Sequence, residues 1–512
     1  MSKRGLVRST GVIGIATAIS RVLGFIRDIV IANFFGTSLA AQAFVVAFRI
    51  PNSLRDLVGE GATNSAIVPV LTEYRTQRGE EEFLRISRIL FNIMSVVLIA
   101  ITAAGVLASP LIVRLIAPGF MREPEALELT ITLNRVIFPY LVLIGLTAYA
   151  MGVLNTLKHF WSPAFGPSVM NMAMIASALW LCPRIGVFGL VIGVLAGGAL
   201  QLALNIPSML KYGMTVNFRD GFSHPAVKKI GILLVPRVMG SAVYQINIFV
   251  DTIVASLAWI VGTGGVAALY YANRLVQFPL AIFGLAMAQA ALPRMSQEFA
   301  LGDIDRMKET LSFSLRSVFF IMIPASFGLA ILGTPIIRIL FERGEFTSYS
   351  TAITQDALFF YSFGLCAYGG VKLLVSCFYS MHDTMTPVKT AFASVILNVI
   401  LNLILMWPLK LGGVALATSI SATFNFLCLY IILKRRIGAL GTRAITDSFV
   451  RVLASSVAMG MALVIILRSS HAVDARTLFA AIFLGTGVFF LASFLFGVKE
   501  LKGFLGWISK RR

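Results

Sequence analysis

Long apolar runs alternate with short breaks rich in Lys, Arg, Gly and Pro along the whole chain. Many of the runs reach the roughly 18–20 residues a helix needs to cross about 30 Å of hydrocarbon. Spans are predicted near 10–35, 41–70, 90–117, 131–156, 162–182, 186–210, 230–258, 266–293, 312–341, 355–380, 390–407, 411–433, 447–467 and 477–497. Inside a bilayer every backbone N–H and C=O must be satisfied within its own segment, so these runs read as helices. The fold class is therefore an all-α polytopic membrane protein with about fourteen transmembrane helices.

The first twelve spans are an internal duplication. Asp28-Ile-Val-Ile-Ala-Asn33 resembles Asp251-Thr-Ile-Val-Ala-Ser256 at an offset of 223, and Ser109-Pro110 matches Thr334-Pro335 at 225. Pro69 with Pro293, Pro163 with Pro387, Gly189 with Gly413 and Gln201 with Asn425 all fall at 224. An even number of helices per repeat gives both halves the same orientation, related about an axis along the membrane normal. The expected organisation is an N-lobe over 1–220, a C-lobe over 221–440, and an unrepeated helix pair with a cytoplasmic tail over 441–512. In this architecture a substrate site falls between the lobes.

Composition supports the membrane reading: 58% of the 512 residues are hydrophobic and 13% charged, about half the charge of a soluble chain. A net charge of +20 would suggest nucleic acid in a soluble protein; here basic residues set topology and meet anionic lipid. Lys and Arg crowd the tails and the even-numbered loops, for instance Arg75, Arg78, Arg85, Arg88 and Lys434, Arg435, Arg436. Both termini are accordingly expected in the cytoplasm, with the first helix retained. Cys182, Cys366, Cys377 and Cys428 have no paired spacing and read as packing residues.

Ionisable residues at membrane depth are costly and mark functional sites by default. They gather on spans 1, 2 and 8: Arg21, Arg27 and Asp28; then Arg49, Asn52, Arg55, Asp56 and Glu60; then Arg274. Arg21 and Arg55 fall near mid-span, and Arg27 and Arg274 lie about six residues further outward, roughly 9 Å at the helical rise. The arginines outnumber the acids, and a planar guanidinium suits phosphate. Buried ion pairs, such as Arg21 with Asp28 or Arg55 with Glu60, are the alternative reading. Asp251, Asn398, Asn402 and Thr418 offer oxygens for a small cation, although polar packing between helices accounts for them at least as well. The glycines Gly189, Gly193 and Gly197 form a close-packing face, and Asp303-Ile304-Asp305 reads as a solvated turn. No metal-ligand spacing, phosphate-cradling loop or nucleophile elbow occurs.

Several segments carry a family resemblance: Ser20-Arg-Val-Leu-Gly-Phe-Ile-Arg-Asp28, Ala43-Phe-Val-Val-Ala-Phe-Arg-Ile-Pro-Asn52, Tyr271-Ala-Asn-Arg-Leu-Val-Gln-Phe-Pro279 and Phe378-Tyr-Ser380 followed by Thr386-Pro-Val-Lys389. Over its whole length the chain resembles the MurJ/MviN lipid II flippases of the MOP exporter superfamily. The resemblance implies two six-helix lobes around a central cavity, with the last two helices forming a groove for a polyprenyl tail. It puts the functional arginines on Arg21, Arg27, Arg55 and Arg274, and any sodium site on Asp251, Asn398, Asn402, the Val414 carbonyl and Thr418. Gln42, Asn273 and Gln277 stand where some relatives carry carboxylates, and Asn402 replaces an acid.

The expected function is movement of lipid II across the inner membrane by alternating access, with no covalent chemistry and no cofactor beyond a sodium coupling ion. Expected partners are lipid II and membrane lipids, with no nucleic acid, and the chain is expected to act as a monomer. A flippase for another undecaprenyl-diphosphate-linked oligosaccharide and a cation-coupled MATE-like exporter are the rival readings. A membrane glycosyltransferase would need a larger outer loop with catalytic carboxylates or histidines.

Overall fold

The computed structural model describes residues 3–55, 66–215, 221–469 and 474–501, and the regular structure among them is helical throughout. The first stretch runs through α1 (Lys3–Phe35), α2 (Leu39–Arg55), α3 (Val68–Arg78), α4 (Glu80–Ile116), α5 (Pro124–Ile137) and α6 (Tyr140–Thr156). It continues with α7 (Trp161–Trp180), the single turn α8 (Cys182–Ile185), α9 (Phe188–Lys211) and α10 (Pro225–Ala255). After the short α11 (Ala258–Val261) come α12 (Gly265–Pro279), α13 (Leu285–Ala300), α14 (Ile304–Phe341) and α15 (Ser348–Ser380). The chain closes with α16 (Met385–Ile437), α17 (Thr442–Ser469) and α18 (Ala475–Leu495).

Where the predicted spans fall on described residues they are largely helical; residues 56–65 of the second span lie outside the described residues. Among the described residues, nine helical stretches are long and apolar enough to cross a membrane. The 53-residue α16 joins two predicted spans, 390–407 and 411–433, across Lys410, whose φ of 49° and ψ of −126° are non-helical. The Asp356 carboxylate on α15 accepts the Gly412 N–H at 3.0 Å just beyond that break, satisfying an amide exposed where the helix restarts. Proline explains two other interruptions. Pro139 separates α5 from α6, and Pro279 precedes a π-helical segment, Leu280–Gly284, that leads into α13. A proline removes an i→i−4 hydrogen bond and crowds the preceding turn.

The chain forms two compact units, Met1–Leu257 with Arg343–Phe346, and Ala258–Glu342 with Thr347–Arg512. By contact, therefore, α10 packs in the first unit, although the duplication counts it as the opening helix of the second half. The first unit is built on Phe83, Ile86 and Leu90 of α4 against Val70, Leu71, Tyr149, Val153 and Ile230. Its packing on α9 uses the predicted glycine face: a Cβ at Gly189 would lie 2.7 Å from the Cys182 nitrogen of α8, and Cβ atoms at Gly193 and Gly197 would lie 2.9 Å from Ser177 Cβ and 3.1 Å from Met170 Cγ of α7.

Two backbone contacts close the ends of α10 and α1 in the same way. Gly119 donates its N–H to Ser256 Oγ at 3.0 Å, and a Cβ there would sit 1.7 Å from the Ser256 carbonyl oxygen. Glu345 N–H donates to the Asn33 carbonyl at 2.9 Å, and a Cβ on the neighbouring Gly344 would sit 2.2 Å from that oxygen. Gly344 is the counterpart of Gly119 at offset 225, and Ser256 is the counterpart of Asn33 at offset 223. Each half of the duplication thus uses an equivalent glycine on an equivalent helix end.

In the second unit, Phe319 of α14 packs edge-on to Phe426 and Phe449, and Phe320 packs against Phe489, fixing α17 and α18 to α14. Arg316 meets Glu500 at 2.7 Å, and Arg451 donates to the carbonyls of Phe496 and Gly497 at the end of α18. None of the four cysteines is bonded to another, and Asp303 caps α14 by accepting the Arg306 N–H at 3.1 Å.

Candidate functional site

On α1, Arg27 and Asp28 are buried while Arg21 is exposed. Arg27 grips Asp28 Oδ1 through Nε at 3.0 Å and Nη2 at 2.7 Å, and its Nη1 donates to Asn171 Oδ1 at 3.0 Å. Asn171 in turn donates to the Ser20 carbonyl at 3.0 Å and lies over Gly24, 3.5 Å from where a Cβ would stand. Asp28 therefore pairs with its neighbour Arg27. The alternative pairing of Asp28 with Arg21 is not the one formed, because Arg27 lies beside Asp28 and its side chain folds back on it.

On α2, Arg49, Asn52 and Arg55 are half-buried. Arg49 donates to the Thr252 hydroxyl on α10. One turn on, Ser53 donates to Gln245 Oε1 at 2.8 Å, so two hydrogen bonds stitch α2 to α10 within the first unit. Glu60, and with it the proposed Arg55–Glu60 pair, lies outside the described residues.

Arg274 belongs to α12 in the second unit and is half-buried. Its guanidinium carbon stands 4.9 Å above the Tyr270 ring, and its Nη2 donates to the Tyr270 hydroxyl at 3.0 Å. The aromatic ring one helical turn back orients the cation and offsets part of its burial. Gln277 donates to Asn273 Oδ1 at 2.7 Å on the same helix, a neutral amide pair where some relatives are expected to carry acids.

Four of the five expected cation ligands come together on α16. Asn402 donates to Asn398 Oδ1 at 2.9 Å, Asn398 donates to Thr418 Oγ1 at 3.3 Å, and Thr418 donates to the Val414 carbonyl at 3.1 Å. Asn398, Asn402 and Val414 are fully buried. Asp251, the fifth, is buried on α10 in the first unit. The donor set is all oxygen, the chemistry a hard cation takes. Among the described residues, no three His, Cys, Asp or Glu side chains gather as a transition-metal site would require.

Sequence reasoning passed over Asn171, Thr252 and Tyr270, which hold the arginines, Gln245, which holds Ser53, and Lys372, an exposed cation well inside α15. The i,i+4 spacing of Tyr270 and Arg274 was a readable signal. The contacts of Asn171, Gln245 and Thr252 bridge distant segments and left none.

Nine apolar helical stretches of membrane length among the described residues define a multi-pass membrane protein, and comparison with known proteins narrows the class. Residues 31–484 match the family described as "Lipid II flippase MurJ", and the chain belongs to that family. The probable lipid II flippase MurJ of Vibrio cholerae is 37% identical over 439 residues, covering 84% of this chain and 83% of the relative. The lipid II flippase MurJ of Burkholderia cenocepacia is 33% identical over 426 residues, covering 82% of each. Among solved structures, a lipid II flippase MurJ in an inward closed conformation is 29% identical, with a TM-score of 0.82 over 94% of this chain and 98% of that one. An inward-facing MATE family multidrug transporter of the MOP superfamily shares the fold at 16% identity and a TM-score of 0.72, covering 84% of this chain and 99% of its own. These relatives are named as flippases and transporters, not as enzymes.

Proposed function

We propose that this protein flips lipid II from the cytoplasmic to the periplasmic leaflet by alternating access, its arginines binding the diphosphate. Family membership supports the substrate. The observation that carries the binding chemistry is the set of guanidinium groups on α1, α2 and α12 within helices of a multi-pass membrane protein. Arg27 is balanced by Asp28, so the first contacts with phosphate fall to Arg21, Arg49, Arg55 and Arg274. Asp28 orients the Arg27 fork, and Asn52 and Glu60 are further substrate-binding candidates in this reading. A hydrogen bond to a charged group contributes about 1.5–3 kcal/mol, roughly ten- to a hundredfold in affinity.

In this reading residues 1–220 and 221–440 are the moving lobes, and 441–512 supplies the groove in which the polyprenyl chain stays in lipid. Both termini are cytoplasmic, and the chain works as a monomer. Purified protein in vesicles, with lipid II accessibility measured in each leaflet, tests the proposal. Arg274→Ala should abolish transport while protein level and melting temperature hold. Undiminished transport by Arg274→Ala and Arg55→Ala would remove the phosphate-binding role.

Sodium is the proposed coupling ion, held by Asp251, Asn398, Asn402, Thr418 and the Val414 carbonyl. Bound there, the ion would supply a positive charge that resets the carrier. Its arrival requires the Asn398 amide and Thr418 hydroxyl to turn their oxygens inward from the hydrogen-bond chain they make with each other. Sodium, compared with N-methylglucamine at equal ionic strength, should raise the melting temperature of the wild type and leave Asn398→Ala unmoved. Identical curves for the wild type in both salts would count against a sodium site.

A further inference from the structure

A cation deep in the second unit plays no part in the substrate contacts proposed above. Lys372 stands on α15 eight residues short of its inner end at Ser380, about 12 Å into the span. That is further than a lysine stem reaches to snorkel. Its side of the helix is polar, because Tyr368, Ser376 and Tyr379 recur with it at helical spacing. Lys372 and Tyr379 are exposed and Ser376 is half-buried. Tyr368, also half-buried, shares a hydrogen bond with the Ser419 hydroxyl at 3.3 Å.

The opposite side of α15 meets hydrocarbon and then closes. Phe359 and Phe363, 39% and 57% exposed, mark the lipid face of the outer half. From Phe363 to Lys372 is nine residues, about two and a half turns, which puts the two on opposite sides. Toward the inner end the side below Phe363 is filled: a Cβ on Gly370 would fall 2.5 Å from the Phe426 ring of α16. Leu373, Leu374 and Cys377 are buried as well. At this depth, then, the helix opens on the side of Lys372. An ammonium exposed there stands against water rather than lipid, because hydrocarbon around a charge is too costly.

Depth relates Lys372 to Arg274 within the same unit. Spans 8 and 10 run in the same direction, and they touch where a Cβ on Gly284 would lie 3.5 Å from the Gly369 Cα. Arg274 lies ten residues outward of Gly284 and Lys372 three residues inward of Gly369, so the two cations are roughly 20 Å apart along the axis. We propose that Lys372 binds the diphosphate of the incoming substrate, as an anion-binding step between the inner headgroup layer and Arg274. A compact ammonium suits a step of passage, since it attracts phosphate as a point charge without the two-pronged grip of a guanidinium. The inference rests on the flippase reading and on cytoplasmic termini, which make Ser380 the inner end.

Two readouts on the full chain test it. In detergent, a water-soluble amine-acylating reagent should modify Lys372, and the exposed Lys389 and Lys434 serve as controls. Inorganic diphosphate at about four times its Kd should slow the modification of Lys372 about fivefold and leave the controls unchanged. In vesicles, Lys372→Met should raise the KM for lipid II about tenfold while kcat and melting temperature hold, and Lys372→Arg should recover most of the loss. A Lys372 that the reagent does not reach, or that diphosphate does not protect, would overturn the site. So would an unchanged KM in Lys372→Met, or a fall in melting temperature shared by both variants. Protection by diphosphate in a wild type that moves no lipid II would keep the anion site and count against the flippase reading alone.

Discussion

At the scale of the residue, the arginines divide into two kinds. Arg27 is 9% exposed and Asp28 is 2% exposed, and each neutralises the other. Removing one member of a buried pair strands the other, at about 3–5 kcal/mol. Arg27→Ala should therefore lower the thermal unfolding midpoint of the solubilised protein, and Arg27→Met with Asp28→Leu should recover most of the loss. Arg27→Lys keeps the charge but not the fork that spans Asp28 and Asn171, so it should fall between. Arg274, half-buried over the Tyr270 ring, should behave differently: its replacement by Ala should spare melting and remove substrate binding. A thermal scan run beside a lipid II binding assay separates the two kinds, and a large melting loss for Arg274→Ala would place it with the structural pair.

At the scale of the element, helix ends and breaks carry the fold. Gly119 and Gly344 are positions where any side chain must push backbone aside, and Gly344 also has φ near +56°. Gly302 also has positive φ, at +74°, but open space around it. Gly302→Ala should cost only about 1 kcal/mol, the conformational term. Gly119→Ala and Gly344→Ala should cost several times that, about 3 kcal/mol or more, because the clash is with carbonyl oxygen and cannot be relieved by a rotamer. Equal melting temperatures for all three variants would contradict the backbone contact. The glycine face on α9 was legible because a repeat of small residues every four positions has one packing meaning in a membrane helix. The docking of Gly344 on the end of α1 was not, since it joins residues more than three hundred apart.

At the scale of the whole molecule, the loop between α15 and α16 is tied to the far end of α16 by Arg436 on Asp383. Partial burial pushes the Asp383 carboxyl up, but the Thr386 hydroxyl and N–H, together with Arg436, outweigh it and hold the group below its usual value. A carboxyl depressed by folding contributes stability above its unfolded value of about 3.9 and loses it as pH falls through the folded value. Asp383→Asn should melt earlier than the wild type at neutral pH, with the gap closing below about pH 4. A gap independent of pH would mean the loop is held by packing alone.

The duplication, the helical membrane class, the family and the list of charged residues were fixed by the chain itself. Apolar length, repeat offset and the cost of charge in hydrocarbon are local or periodic quantities, and they can be read without coordinates. Which carboxylate each arginine meets was not so readable: Arg21 and Asp28 share a helical face, yet the bond went to Arg27. Nor was the packing of α10 with the first unit, the Asn171 and Thr252 partners, or the exposure of Lys372. Side-chain direction and contacts between distant segments depend on how helices pack, and packing is settled by the summed shape of many neighbours rather than by spacing along one strand of sequence.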